Sequence, residues 1–350
     1  MNEILKRITE KFQTEGKITD IKPLGEGFIN STYIVKTEGN SPDYILQKKN
    51  KSIFPNVPMM MDNIVRITEH IANKISARGG NPAKEVLTVV KTHDGLPYFK
   101  DEEDEYWAMC LFIPDTVGHD IADSPRLAYK GGEGLGKFQM LLSDFTQPLY
   151  ETIKGFHNLR HRFMQWDESL RADNAGRKKD VAREIEEIEK RRDEMMKFWH
   201  LVEDGTIPKR VTHNDTKLSN ILFDKDDNVI CMIDLDTVMS NTILADYGDA
   251  IRSFANTGAE DDQNLDRVSV NREIYNAYTE GYLSQTRGFL TEIEKEYMPF
   301  GPRFITFEQT LRFLMDYIDG DKYYRIAYPQ HNLVRARAQQ KLLESIEALT

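Results

Sequence analysis

The side chains best able to do chemistry gather in one stretch, THNDTKLSNILFDKDDNVICMIDLDT, positions 212–237. Asp215 follows His213 by two residues, Lys217 follows by two more, and Asn220 stands five after Asp215; Asp234 closes the stretch in Ile233-Asp234-Leu235-Asp236. The oxygen-bearing side chains of Asp215, Asn220 and Asp234 suit a hard divalent cation such as Mg²⁺. The same residue types fit phosphoryl transfer, in which a protein chiefly positions and neutralises. Asp215 can accept the proton of an attacking hydroxyl, Lys217 can steady the transferring group as a point charge, and Asn220 and Asp234 can hold the metal. His213 fits better as a holder of backbone through its ring nitrogens.

Those residues need an element that brings them together. Ile221-Leu222-Phe223 is apolar, Asp224 to Asn228 is turn-rich, and Val229 to Ile233 is apolar and β-branched, a pattern that predicts a β-hairpin. A hairpin makes its outer ends neighbours, so Asp215, Asn220 and Asp234 are expected around one small volume.

Upstream, MNEILKRITEKF reads as an amphipathic helix, with Ile4, Leu5, Ile8 and Phe12 at helical spacing. Lys17–Leu24 and Ser31–Lys36 read as strands around the turn Gly25 to Asn30, whose Gly25 and Gly27 permit close approach to a ligand. Tyr44–Gln47 is a third strand, with Ile45 and Gln47 on one face. Met61–Ile75 is a helix. Val86–Thr92 and Leu96–Lys100 flank an Asp94-Gly95 turn, and Glu105–Ile113 is a mostly apolar strand. Pro114 to Gly118 breaks the pattern and is a candidate hinge. Beyond it long helical segments prevail, among them Asp180–Asp204 with a stripe of Val181, Ile185, Ile188, Met195 and Trp199. The expected organisation is α+β: a small antiparallel-sheet lobe over 1–113, a hinge at 114–118, and a larger, mainly helical lobe over 119–350.

Gly131 to Lys137 has the spacing of a phosphate-binding loop, but Phe138 stands where a Ser or Thr should follow the Lys, and SPRLAYK before it is no buried strand. Small residues that let two helices approach closely account for it better. The 46 Lys and Arg against 57 Asp and Glu leave a net charge of −11, which argues against nucleic acid and anionic membrane surfaces as partners. Without an uninterrupted apolar N-terminal core or a long apolar run, neither a secretory signal nor a membrane span is expected. Cys110 and Cys231 fall in apolar runs, consistent with reduced thiols in a cytoplasmic protein.

HNDTKLSN followed by IDLD resembles the catalytic and metal-binding loops of the aminoglycoside phosphotransferase and choline kinase superfamily, which has a protein-kinase-like two-lobed fold. More narrowly, GEGFINSTYIV, YILQKKNKSIF, ETIKGFHN, DLDTVMSNTILADYGDAIRSFANT and RFLMDYIDGDKYY are similar to bacterial N-acetylhexosamine 1-kinases. The resemblance implies transfer of the ATP γ-phosphate, with Mg²⁺, to the anomeric hydroxyl of N-acetylglucosamine or N-acetylgalactosamine. It implies Asp215 as base, Asn220 and Asp234 as Mg²⁺ ligands, Gly25 to Asn30 as the phosphate-covering loop, and backbone groups of Leu111 and Ile113 for adenine. Gln47 stands where most such kinases place a phosphate-pairing Lys, and Lys48 should point the other way, so phosphate binding would lean on Mg²⁺ and Lys217. That substitution keeps a nucleotide-binding pseudokinase as an alternative.

The acceptor must lie beside Asp215. Asp249, Arg252 and Asn256 share one face of a predicted helix, and Arg312 sits among apolar neighbours in LRFLMDYIDGD. Arg312 either pairs with Asp316 four residues on or holds a sugar hydroxyl. Tyr317, Tyr323 and Tyr324 fit core packing or stacking on a sugar ring. An amino alcohol or aminoglycoside acceptor would instead select carboxylates, so the placement of Asp249, Asp316 and Asp319 discriminates between the two acceptor classes.

Overall fold

The computed structural model describes residues 3–25 and 30–349. Gly27, assigned above to the glycine turn, lies outside the described residues. A short helix α1 (Glu3–Thr9) leads into strands β1 (Ile18–Pro23), β2 (Ser31–Thr37) and β3 (Tyr44–Lys49). Helix α2 (Val57–Ala77), a single turn α3 (Pro82–Glu85) and strands β4 (Val89–Val90), β5 (Phe99–Lys100) and β6 (Tyr106–Leu111) follow. Next come α4 (Pro125–Leu141), α5 (Leu159–Ala172), α6 (Ala182–Glu203), β7 (Arg210–Thr212), the hairpin β8 (Ile221–Phe223) and β9 (Val229–Met232), and β10 (Met239–Asn241). The chain ends in helices α7 (Ile243–Phe254), α8 (Arg272–Thr286), α9 (Glu292–Tyr297), α10 (Phe300–Asp319) and α11 (His331–Glu347). The expected class holds: an antiparallel sheet in the N-terminal part, helices in the C-terminal part.

The chain divides into two compact units, one made of Met1–Gly118, Leu141–Lys154 and Asn220–Met239, the other of His119–Met140, Gly155–Ser219 and Ser240–Thr350. This differs from the linear division expected at 114–118, and hydrogen bonds give the reason. Val117 and Phe223 exchange backbone bonds of 2.8 and 3.0 Å, which ties the hairpin to the first unit. Buried Asn63 on α2 exchanges bonds of 2.9 Å with Tyr150 in both directions and donates to Val238 O, which ties in the other returning segments.

In the first unit the sheet runs β1-β2-β3-β6-β4, with β5 also on β6, and every pairing is antiparallel. Period-two alternation turns Val35, Tyr44, Leu46, Trp107 and Met109 to one face, where they pack with Leu5, Ile8 and Phe12 of the N-terminal segment. Each fully buried aliphatic side chain there contributes about 1.5–3 kcal/mol. Helix α2 starts where Asn56 accepts the Met59 N–H, with Pro58 in its first turn, and buries Ile64, Ile67, Ile71 and Ile75 at helical spacing.

The second unit is built around α10, buried from Gly301 through Leu314 almost without interruption and packed on α7, α11, α5 and α6. The glycine run of α4 serves close packing, as expected. A Cβ on Gly132 would meet Tyr278 O at 2.1 Å, and one on Gly281 of α8 would meet Tyr129 O at 1.9 Å, so α4 and α8 cross at backbone distance. Among the described residues no helix is long and apolar enough to cross a membrane.

Candidate active site

Helix α7 anchors the loop that carries Asp215. Thr242 caps its start, and Asp246 and Asp249, three apart, present carboxylates along one face. Asp246 accepts the backbone N–H of His213 at 2.8 Å and of Asn214 at 2.7 Å, and also the Gln139 amide at 3.0 Å. Asp249 accepts the Thr216 N–H at 3.1 Å and pairs with Arg252 at 2.8 Å. Burial by itself would raise the Asp249 carboxyl, but the charges of Arg252 and His157 and the Thr216 N–H outweigh it and hold it below the usual carboxylate range. The loop's backbone donors are thus satisfied by buried acids. This corrects the expectation that Asp249 and Arg252 face the acceptor: Asp249 is taken up by Thr216 and Arg252, and Arg252 by Asp249 and Glu260. Asn256 lies past the end of α7, in a bridge with Val270.

Within the loop, Lys217 Nζ lies 3.0 Å from Asp215 Oδ2, and both side chains are partly exposed. Asn214, just before Asp215, has φ +65°. That left-handed conformation is uncommon outside glycine and is best tolerated by Asn and Asp. Beneath the loop, buried His157 bonds Glu308 through Nδ1 at 2.6 Å and the Asn214 carbonyl through Nε2 at 3.3 Å.

The hairpin forms as the apolar pattern requires, pairing Ile221 with Met232 and Leu222 with Cys231. The Ile233 N–H donates to Asn220 O at 2.9 Å, so Asn220 and Asp234 stand at adjoining ends. Asp234 has φ +60°, which turns the chain sharply into the 3₁₀ turn Leu235–Thr237. One amide oxygen and one carboxylate fit Mg²⁺, which takes one or two protein oxygens and completes its shell with phosphates and water. Among the described residues no group of three or more His, Cys, Asp or Glu side chains is placed to hold a metal.

Asp236 is not a third candidate ligand. Both its oxygens accept from Lys49 Nζ, at 2.7 and 3.0 Å, and Oδ2 also accepts from Asn30 Nδ2 at 2.7 Å. Lys49 is only 3% exposed and donates as well to Gln47 Oε1 at 2.7 Å. Strand β3 therefore runs two residues past Gln47 and places Lys49 on the same face. This overturns the expectation that the position of Gln47 leaves this face without a cation. Gln47 also bonds Thr32 Oγ1, and Asn30 Oδ1 accepts the Asn50 N–H, so the far end of the glycine turn is tied to β3. Gly25, at its near end, has φ +68°.

Of the backbone groups expected at adenine, the Leu111 N–H donates to Thr88 O at 2.9 Å and the Ile113 carbonyl accepts the Thr116 hydroxyl at 3.2 Å. The expectation narrows to the Leu111 carbonyl and the Ile113 N–H.

Arg312, 7% exposed on α10, has no carboxylate within ion-pair distance among the described residues. It donates to Gln309 Oε1 at 3.1 Å and lies 5.4–5.8 Å from the ring centres of Phe156, Tyr323 and Tyr324. The pairing with Asp316 does not form. Asp316 instead accepts the N–H groups of Lys322, Tyr323 and Tyr324 and the Asn332 amide, and so shapes the loop after α10. Tyr317 is in the core, while Tyr323 is largely exposed.

Sequence reasoning missed Asp246, Lys49, and His157 with Glu308. Lys49 was readable, since period two from Gln47 leads to it. Asp246 and Asp249 were visible as paired acids in an apolar helix, but only the fold shows that they face the loop backbone.

Residues 20–288 match the phosphotransferase enzyme family. The fold recurs in an aminopropanol kinase associated with a microcompartment, at 16% identity and TM-score 0.66 over 99% of this chain and 98% of that one. It recurs in an aminoglycoside phosphotransferase of Alicyclobacillus acidocaldarius, at 12% identity and 0.61 over 98% and 95%. Choline kinase from Streptococcus pneumoniae shares it at 13% identity and 0.54, over 98% and 100%. The chain belongs to the phosphotransferase enzyme family.

Proposed function

We propose that this enzyme transfers the γ-phosphoryl group of ATP to the anomeric hydroxyl of an N-acetylhexosamine, N-acetylglucosamine or N-acetylgalactosamine, to give the sugar 1-phosphate. Asp215 takes the proton of that hydroxyl as its oxygen bonds to the γ-phosphorus and the bond to the bridging oxygen of ADP breaks. Lys217, beside Asp215, offsets charge on the transferring group. Asn220 and Asp234 hold Mg²⁺, which when bound neutralises the nucleotide phosphates. Gly25 and Asn30, with Gln47, flank those phosphates, and the Leu111 carbonyl and Ile113 N–H meet adenine. A spectinomycin phosphotransferase of this fold, 14% identical, was solved with ADP and spectinomycin, which supports the nucleotide.

The observation that carries the choice of acceptor is the setting of Arg312. Phe156 lies against its guanidinium, and the next residue, His157, bonds the peptide beside Asp215. The polar groups at hand there include the guanidinium, the Gln309 amide oxygen that accepts from it, and the buried Tyr324 hydroxyl, which has no partner among the described residues. The carboxylates a cationic acceptor would need are engaged elsewhere: Asp249 by Thr216 and Arg252, Asp316 by loop amides, Asp319 by Ser169 at 2.7 Å. Three rings that could cage an ammonium already hold a guanidinium, so a second cation would be repelled. A neutral polyhydroxylated acceptor fits this setting.

The test is ADP release measured over a panel of hexoses, N-acetylhexosamines, choline, amino alcohols and aminoglycosides. Highest kcat/KM on an N-acetylhexosamine is expected. Best turnover on an amino alcohol would favour the second acceptor class, for which the aminopropanol kinase and choline kinase of this fold speak. ATP binding without turnover on any acceptor would make the chain a pseudokinase.

A further inference from the structure

We propose that His157 is a positioning residue for the transfer step: its imidazole, backed by Glu308, fixes the peptide plane that joins Asn214 to Asp215 and thereby the direction of the Asp215 side chain. This rests on Asp215 as the base, but not on the identity of the acceptor.

One peptide group carries the argument. Its carbonyl, from Asn214, accepts from His157 Nε2 at 3.3 Å, and its N–H, from Asp215, donates to His213 Nδ1 at 3.3 Å. Two imidazoles therefore grip the two ends of a single plane. On its other side Asn214 donates its own N–H to Asp246 at 2.7 Å. Rotation of this plane would swing the Cα–Cβ bond of Asp215, and the restraint matters because Asn214 already sits at φ +65°, a conformation that surrounding bonds must maintain.

The hydrogen bonds also orient the His157 ring. The Asn214 carbonyl can only accept, so Nε2 must bring the hydrogen. Nδ1 faces Glu308, 2.6 Å away. Burial pushes the Glu308 carboxyl up, but the nearby charges of His157, Arg162 and Arg312 overcome this and hold it at about 2. The Glu308 contact thus holds the ring with Nε2 turned to the loop. At 3% and 1% exposure, His157 and Glu308 have little water to take their place, and Arg162 Nε at 3.0 Å occupies the second Glu308 oxygen. His157 itself adopts φ +49°, which aims the ring at the loop at a conformational cost.

A role in stability alone would rest on the Glu308 contact, whereas positioning rests on the Asn214 contact, and two substitutions separate them. A Gln side chain places its amide near the position of Nε2, and an Asn side chain near that of Nδ1. Expected for His157→Ala is a fall in kcat of about 30-fold with the KM for ATP unchanged, the size that small misplacement of a reacting group produces. His157→Gln should restore kcat to within about fivefold of wild type, while His157→Asn stays near the Ala variant. Rates are taken per folded protein, on whichever acceptor the panel turns over best. Equal kcat for the Gln and Asn variants, or wild-type kcat in all three, would overturn the proposal. Hydrogen exchange at the Asp215 amide is read alongside. Protection should fall in the Asn variant and persist in the Gln variant, and the reverse order refutes the proposal. If no acceptor turns over, the functional reading fails, while the exchange comparison still decides this one. If His157→Ala does not fold, the Gln and Asn pair carries the test.

Discussion

Lys49 Nζ lies 2.7 and 3.0 Å from the two carboxylate oxygens of Asp236, with both residues buried, so the end of β3 is pinned to the turn that follows Asp234. Removing one partner leaves the other charge without water, a loss of roughly 3–5 kcal/mol. Lys49→Met and Asp236→Asn should each destabilise by about that much in urea titrations, and the double variant should lose at least ~1 kcal/mol less than their sum. Strict additivity would mean that the two charges are not coupled. Gln47→Ala removes the bond to Thr32 and the one accepted from the Lys49 ammonium but no charge, and should raise the KM for ATP a few-fold, about 1 kcal/mol; complete loss of activity would show that the position carries more.

Asp215→Asn keeps the shape of the loop and removes the proton acceptor. ATP affinity, measured by calorimetry, should stay near wild type while turnover falls by about 10²–10⁴-fold, the usual worth of a positioned base. A wild-type rate would exclude Asp215 as base.

The hairpin was legible because its apolar flanks and acidic turn need no tertiary context. Asn220 and Asp234 follow from it by counting residues. Arg312 and Asp316 show where counting stops. Four residues apart on a helix they should pair, yet the carboxylate goes to three consecutive N–H groups of the loop after α10, which burial would otherwise leave unpaired. Asp249 and Arg252 do pair at helical spacing, but with their backs to solvent, since Asp249 also holds Thr216. Periodicity tells which residues share a face; what that face meets depends on segments far along the chain.

Glu308 makes acid stability a measurable consequence. Its carboxyl is depressed from 4.5 to about 2 in the folded protein, so it contributes stability that is present above about pH 4.5 and is lost as pH falls towards 2. At 1.36 kcal/mol per unit the contribution is on the order of 3 kcal/mol. Glu308→Gln should be less stable than wild type at pH 6, and the gap should narrow by about that amount as pH falls through this window in denaturant titrations. A gap that does not change with pH would show that Glu308 titrates alike in both states.

Arg312 separates the two acceptor classes from the enzyme's side. Its planar guanidinium lies among three rings and donates to Gln309, and a Lys ammonium offers charge without the plane. For a neutral sugar acceptor, Arg312→Ala should raise the acceptor KM by about 10- to 100-fold, as loss of a charged hydrogen bond does, with the KM for ATP unchanged. Arg312→Lys should fall between the two. For a cationic acceptor the sign reverses: removing the guanidinium would relieve repulsion and lower the KM. Steady-state kinetics of both variants on N-acetylglucosamine and on choline therefore reads the sign directly, and a lower KM for choline in Arg312→Ala combined with unchanged sugar kinetics would overturn the sugar assignment.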